Sequence, residues 1–181
     1  MPVAQAKEGA SPSYPPSTMS QALVEKALLV AQSQIGVREL PGKPNRSPEI
    51  DQYVKSVGLN PAGGYAWCQA FVYWCFQQAA QQLSVPNPLL KTAGVLAHWN
   101  NTKARKIGVK QALEQKLVEP GMIFVMDFGK GTGHIGFVER VEGATIHTIE
   151  GNTNNAGSRE GIAVMRRQRT IASCKGFIDY S

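Results

Sequence analysis

The chain has 181 residues, 43% of them hydrophobic, and a formal net charge of +6 with a pI near 9.3. That is enough apolar material for one domain with a real core, which excludes general disorder, and no apolar window is long enough for a membrane span. Three cysteines are too few for a disulfide framework, and no Cys/His spacing matches a zinc site.

Residues 1–20 hold Pro2, Pro12, Pro15 and Pro16 among Ala, Ser and Gly, and read as a flexible tail ahead of a domain over residues 21–181. They lack a seven-residue apolar run after a basic start, so no secretory signal is expected. Thr18 with Gln21 resembles a capping box. A first helix then runs to Gln34, with Leu23, Ala27, Val30, Ala31 and Ile35 on one stripe, and stops at Gly36. Ser47-Pro48 reads as an N-cap and first helical position of a short helix ending at Gly58.

The loop Asn60-Pro61-Ala62-Gly63-Gly64 leads through Tyr65 and Trp67 to Cys68. From Cys68 to Leu83 the pattern is a helix apolar nearly all round, hence buried on most sides. Cys68 falls where loop becomes helix. There the free N–H groups and the positive end of the helix dipole favour thiolate, the nucleophilic form. Cys75 lies two turns deeper and reads as a small core hydrophobe. It is too far along the helix to bridge to Cys68, whereas a bridge to Cys174 is open. Short helices are expected at Thr92–Trp99 and Val109–Gln115.

The period then changes to that of strands. Strands are expected at Met122–Met126, His134–Val141, Thr145–Glu150, Ile162–Arg169 and Gly176–Tyr180, with loops at Asp127–Gly133 and Gly151–Gly161. Helices first and a strand meander second imply an α+β fold with an antiparallel sheet of about five to six strands. The basic groups Lys103-Arg105-Lys106-Lys110 and Arg166-Arg167-Arg169 read as solvated faces, so no nucleic-acid partner is expected.

Of the three histidines, His134 follows a glycine-rich loop and opens a strand, where a side chain can be held rigidly as a general base. His98 reads as a packing or surface residue, and His147 sits mid-strand. Glu150 and Asn152 share a strand face, and a relay needs His134 on that face too. A two-residue turn at Glu142-Gly143 would put Glu150 on the wrong side, so a three-residue turn or a bulge is expected between Val141 and Thr145. With that register, Cys68 attacks a carbonyl carbon and His134 shuttles the proton. Glu150 holds the other imidazole nitrogen, with Asn152 as the alternative orienter or a pocket wall. The Cys68 N–H is a natural oxyanion donor. Tyr65 and Trp67 flank the nucleophile as candidate substrate-binding residues, with core packing the alternative for both.

The segments Gly64–Val72, Gly133–Val138 and Ile149–Asn154 resemble, in order and spacing, the cysteine, histidine and Glu-x-Asn motifs of CHAP domains, the cysteine- and histidine-dependent amidohydrolases/peptidases. The resemblance covers about Leu23 to Tyr180. It implies a papain-like, NlpC/P60-like fold with N-terminal helices packed on the sheet. It also implies cleavage of an amide bond in bacterial peptidoglycan, by an N-acetylmuramoyl-L-alanine amidase or a peptide endopeptidase. The carried-over catalytic positions are Cys68, His134, Glu150 and Asn152. Some relatives bind calcium through an acidic loop before the cysteine. Here that loop has no carboxylate, so no metal and no cofactor are expected. Many relatives carry Pro-Gly-Asp where this chain has Pro120-Gly121-Met122.

The absent signal and lone domain suit an antibacterial effector or lysin that reaches the periplasm or cell exterior by non-classical export or lysis. An effector would bring an immunity or inhibitor protein as partner. A monomer is expected, since no heptad run argues for assembly. The alternatives are a non-catalytic wall-binding module, suggested by the basic charge, and a cysteine amidase acting on a non-wall substrate, for instance in the cytoplasm.

Overall fold

The computed structural model describes residues 16–153 and 161–181. The expected tail lies mainly outside these residues, as does most of the polar loop after Gly151. Helix α1 (Pro16–Ser33) already begins at Pro16, so Thr18 lies inside it rather than capping it. Helix α2 (Pro48–Ser56) starts as the sequence predicts: the Ser47 hydroxyl accepts from the Ile50 N–H at 3.2 Å, with proline next in line. Helix α3 (Cys68–Leu83) keeps its expected bounds, and α4 (Val95–Asn101) and α5 (Val109–Gln115) follow.

Six strands form one antiparallel sheet: β1 (Arg105–Gly108), β2 (Ile123–Gly129), β3 (Thr132–Glu142), β4 (Thr145–Thr153), β5 (Ala163–Thr170) and β6 (Gly176–Asp179), in the order β1-β6-β2-β3-β4-β5. β1 has no counterpart among the sequence expectations. Its single buried residue, Ile107, leaves no alternation to read. The expected loop Asp127–Gly133 is mostly strand: β2 and β3 turn tightly on Lys130 and Gly131, both at positive φ. His134 therefore sits inside β3 rather than opening it.

Strand alternation divides the core in two. On one face Ile135, Phe137 and Ile149 pack against α3, where Phe76 stacks on Phe137 at 5.8 Å and Phe71 meets it edge-on at 6.3 Å. Helices α1 and α2 back α3 through Ala27, Ala31, Ile50 and Tyr53. Each enclosed aromatic side chain contributes about 2–3 kcal/mol by leaving water. On the other face Phe124, Val138, Ile146 and Phe177 pack beneath α5 and a 3-10 turn at Ile171–Ser173.

The hairpin of β3 and β4 corrects one expectation. Its turn has two residues, Gly143-Ala144, and Glu142 pairs directly with Thr145. The bulge lies farther up, at Glu139, between the pairs Val138–Thr148 and Arg140–His147. The turn alone would send Glu150 to the face opposite His134, and the extra residue restores the match. Glu139 is tethered on both sides, by Gln32 of α1 at 2.9 Å and by the Arg166 guanidinium of β5 at 2.8 and 2.9 Å.

Candidate active site

Cys68 is the first residue of α3, and the preceding N-cap residue, Trp67, makes no side-chain capping hydrogen bond. The first-turn N–H groups, which a helix leaves without intrahelical partners, and the positive end of a 16-residue helix lie at the thiol. The approach to Cys68 is tied down at several points. Asn60 caps a 3-10 turn at Pro61–Gly63, Gly64 bends at φ +65°, and Asn45 donates to the Gly64 carbonyl at 3.0 Å. Trp67 donates from Nε1 to Glu39 at 3.2 Å and packs on Tyr53 at 5.8 Å. Its indole is fully enclosed, which corrects its reading as a substrate-binding residue: it wedges the loop in place beneath the nucleophile. Tyr65 is 42% exposed on the same loop, free to line a groove.

One residue into the helix, the Gln69 amide faces His98 Nδ1 at 3.2 Å. His98 Nε2 lies 2.7 Å from the Tyr180 hydroxyl, which lies 2.9 Å from that of Thr102. This buried chain pins the first turn of α3 to α4 and the C-terminal end of the sheet. His98 is thus a packing histidine, as one of the sequence readings has it. His147 lies near the surface beside Glu142 and Arg140.

His134 and Glu150 are the polar centre. Both are buried, and His134 Nε2 lies 2.8 Å from Glu150 Oε2. Continuing the register from Phe137–Ile149 places Gly136 across from Glu150. A methyl at Gly136 would fall 2.7 Å from Phe124 Cε1 and 3.1 Å from Glu150 Cγ, so glycine there leaves room for the carboxylate. Gly151 does the same for the helix: a methyl there would fall 2.8 Å from the Phe71 ring, so only glycine lets α3 settle this close to β4.

Glu150 accepts from three residues. The Arg169 guanidinium grips it bidentately at 2.9 and 2.7 Å, Thr148 donates to Oε1 at 2.6 Å, and His134 supplies the third contact. Burial works to raise the carboxyl pKa. Arg169 and then His134 outweigh it and hold Glu150 well below the usual carboxylate range. Because an ionised carboxylate only accepts, Nε2 of His134 carries the hydrogen.

The other imidazole nitrogen, Nδ1, is buried and makes no hydrogen bond of good geometry among the described residues. Burial disfavours the imidazolium, yet the neighbouring Cys68 thiol and the Glu150 carboxylate prevail and push the His134 pKa up to about 9. The sequence-derived residues Cys68, His134 and Glu150 therefore converge. Asn152, at positive φ and buried, lines a cleft of about 370 Å³ with Glu39, Asn45 and, from the loop leading to Cys68, Gly64 and Ala66, while Glu150 takes the ring nitrogen.

Sequence reading missed Arg169 and Thr148. Thr148 is two residues from Glu150 on one strand face, a signal available in the sequence. Arg169, in a basic run, reads as part of a solvated face, but its side chain is only 11% exposed and turns inward. All three cysteines are free. No described helix is long and apolar enough to cross a membrane.

The family model for the CHAP domain matches residues 60–152, just over half of the chain. Two solved structures of mutated forms of the Resuscitation Promoting Factor Interacting protein RipA are similar to it. They share 17% and 16% identity, have a TM-score of 0.52, and cover 97% of this chain and 70% of theirs. A crystal structure of Ly7917 is similar at 16% identity and a TM-score of 0.48, covering 87% of this chain. The match spans 62% of the length of Ly7917. No curated protein matches the chain.

Proposed function

The chain belongs to the CHAP family, with the NlpC/P60-like α+β fold, and from that premise we propose that it hydrolyses an amide bond of bacterial peptidoglycan with Cys68 as nucleophile. The observation that carries this reading is the convergence of Cys68, at the uncapped start of α3, with a His134 whose far nitrogen is held by Glu150.

The chemistry follows from the tautomer. With Nε2–H committed to Glu150, Nδ1 has already taken the proton of the Cys68 thiol before the attack, as a His134 pKa near 9 implies at neutral pH, and the sulfur then adds to the amide carbonyl carbon. The oxyanion that forms is met by the free N–H groups at the helix start. Nδ1–H then protonates the leaving amine as the C–N bond breaks, leaving a thioester on Cys68. Water attacks the thioester carbonyl and gives a proton to Nδ1. The C–S bond breaks, the acid is released, and the thiol is restored. Glu150 stabilises the imidazolium in both halves without taking its proton. Tyr65 and Asn152 are the residues we assign to the substrate side.

The test is incubation of purified sacculi with wild type and Cys68→Ala, with released fragments read by mass spectrometry. Fragments from wild type alone support the reading, and their new ends separate a muramoyl–alanine amidase from a peptide endopeptidase. Equal fragments from both proteins refute it. The antibacterial setting is a separate proposal: expression in a bacterium with a periplasmic signal should lyse cells, and cytosolic expression should not. Toxicity confined to the cytosol would instead point to a non-wall amide.

A further inference from the structure

Glu150 lies wholly inside the protein, yet two donors converge on each of its oxygens. Oε1 receives Arg169 Nε at 2.9 Å and Thr148 Oγ1 at 2.6 Å, and Oε2 receives the Arg169 terminal nitrogen at 2.7 Å and His134 Nε2 at 2.8 Å. A carboxylic acid cannot occupy this position, because its own proton would displace one of the donors. Arg169 comes from the edge strand β5, whose register pairs it with Ile146, so its side chain runs along β4, past the Thr148 position, to arrive at Glu150. It makes the contact in planar, two-pronged form, which fixes the rotation of the carboxylate as well as its charge.

We propose that Arg169 is the positioning residue of this site: it holds Glu150 ionised and turned so that Oε2 meets His134 Nε2, which leaves Nδ1 facing Cys68. The proposal rests on the reading of His134 as the base. It adds a fourth member to the relay, one that touches neither substrate nor the reacting atoms. The charge arithmetic gives it a second consequence. Arg169 neutralises Glu150 and so limits how strongly the carboxylate pulls a proton onto His134. Without that positive charge, the Glu150–His134 pair binds its proton more tightly. The groups facing Glu150 are His134 from β3, Arg169 from β5, Thr148 two residues back on β4 itself, and the Cys174 thiol following the Ile171–Ser173 turn. The Cys68 thiol faces His134 from α3.

NMR titration of isotope-labelled histidine tests this on the full chain, since only three imidazoles have to be assigned. In wild type His134 should be the Nε2–H tautomer when neutral. Arg169→Gln should move its titration up by about one pH unit or more, and Arg169→Lys, which keeps the charge, should stay within about half a unit of wild type. An Arg169→Gln protein that titrates like wild type overturns the proposal. If that variant does not fold, the wild-type protein still decides the matter: labelled Glu150 must remain ionised at pH 4.5, the ordinary midpoint of its side chain, and half-protonation there overturns it. Wall digestion by the same preparations is scored separately. A titration that follows Arg169 in a protein inactive on sacculi leaves this role standing and removes the hydrolase reading. An active protein whose titration ignores Arg169 does the reverse.

Discussion

His134 Nε2 and Glu150 Oε2 lie 2.8 Å apart with both side chains closed off from solvent. Replacing the carboxylate with an amide removes the partner of the imidazolium and leaves the Arg169 guanidinium buried without a counter-charge. Glu150→Gln should lower kcat/KM on wall fragments by about 100-fold or more. It should also cost about 3–5 kcal/mol of stability, the usual penalty for breaking an enclosed ion pair from one side. Urea unfolding and initial rates on the same preparation check both. An amide variant as stable as wild type would show that the Arg169 grip contributes little.

Gly136 faces Glu150 across the β3–β4 ladder, and a methyl there would fall 2.7 Å from Phe124 Cε1 and 2.8 Å from the Ile149 carbonyl oxygen. Neither neighbour is the loose end of a flexible side chain. Gly136→Ala should therefore destabilise the fold by about 1–3 kcal/mol through overpacking. It should also push Glu150 out of line with His134, so activity measured well below the melting temperature falls as well. Unchanged stability would mean that β3 and β4 separate more easily than this packing implies.

The two buried histidines should act on stability in opposite senses. Burial pushes the His98 pKa down to about 4, from 6.5. Between those values the unfolded chain binds a proton that the folded one refuses, so stability is lost as pH falls through this window. His98→Gln should remove that loss: wild type should lead it by most at neutral pH, and the lead should shrink on acidification by as much as about 3 kcal/mol. His134 is raised to about 9, so its contribution is complete below pH 6.5 and disappears as pH rises toward 9. Glu150, held low, contributes above its ordinary midpoint and loses that contribution in acid. Urea unfolding across pH checks these slopes, and parallel curves for wild type and His98→Gln would contradict the first.

The parts of this site that depend on local pattern are legible in the sequence. A glycine pair running into an apolar helix marks Cys68 as a helix start, and period-two alternation requires an odd residue between His134 and Glu150. The location of that residue is not legible. It is Glu139, held by Gln32 and Arg166 from elements far away in the chain. Arg169 escaped for the same reason, because an arginine in a basic run turns inward only once the β4–β5 register gives it a carboxylate. Trp67 shows the opposite limit. An aromatic beside a nucleophile looks the same in sequence whether it lines a groove or, as here, wedges the loop from inside through Glu39 and Tyr53. Strand β1 carries one buried residue, so no periodicity announced it.

The pairing of Cys68 with His134 is the point on which the hydrolase reading turns, and site-resolved alkylation measures it directly. Folded protein is treated with iodoacetamide at neutral pH, and modification of Cys68, Cys75 and Cys174 is followed by peptide mass spectrometry in wild type and His134→Ala. Burial raises the pKa of Cys75 and pushes that of Cys174 up to about 11, so both should stay unmodified. Cys68 should react about tenfold faster than a free thiol and lose that advantage in His134→Ala. Modification of Cys68 no faster than a free thiol, or at a rate indifferent to His134, would contradict the account.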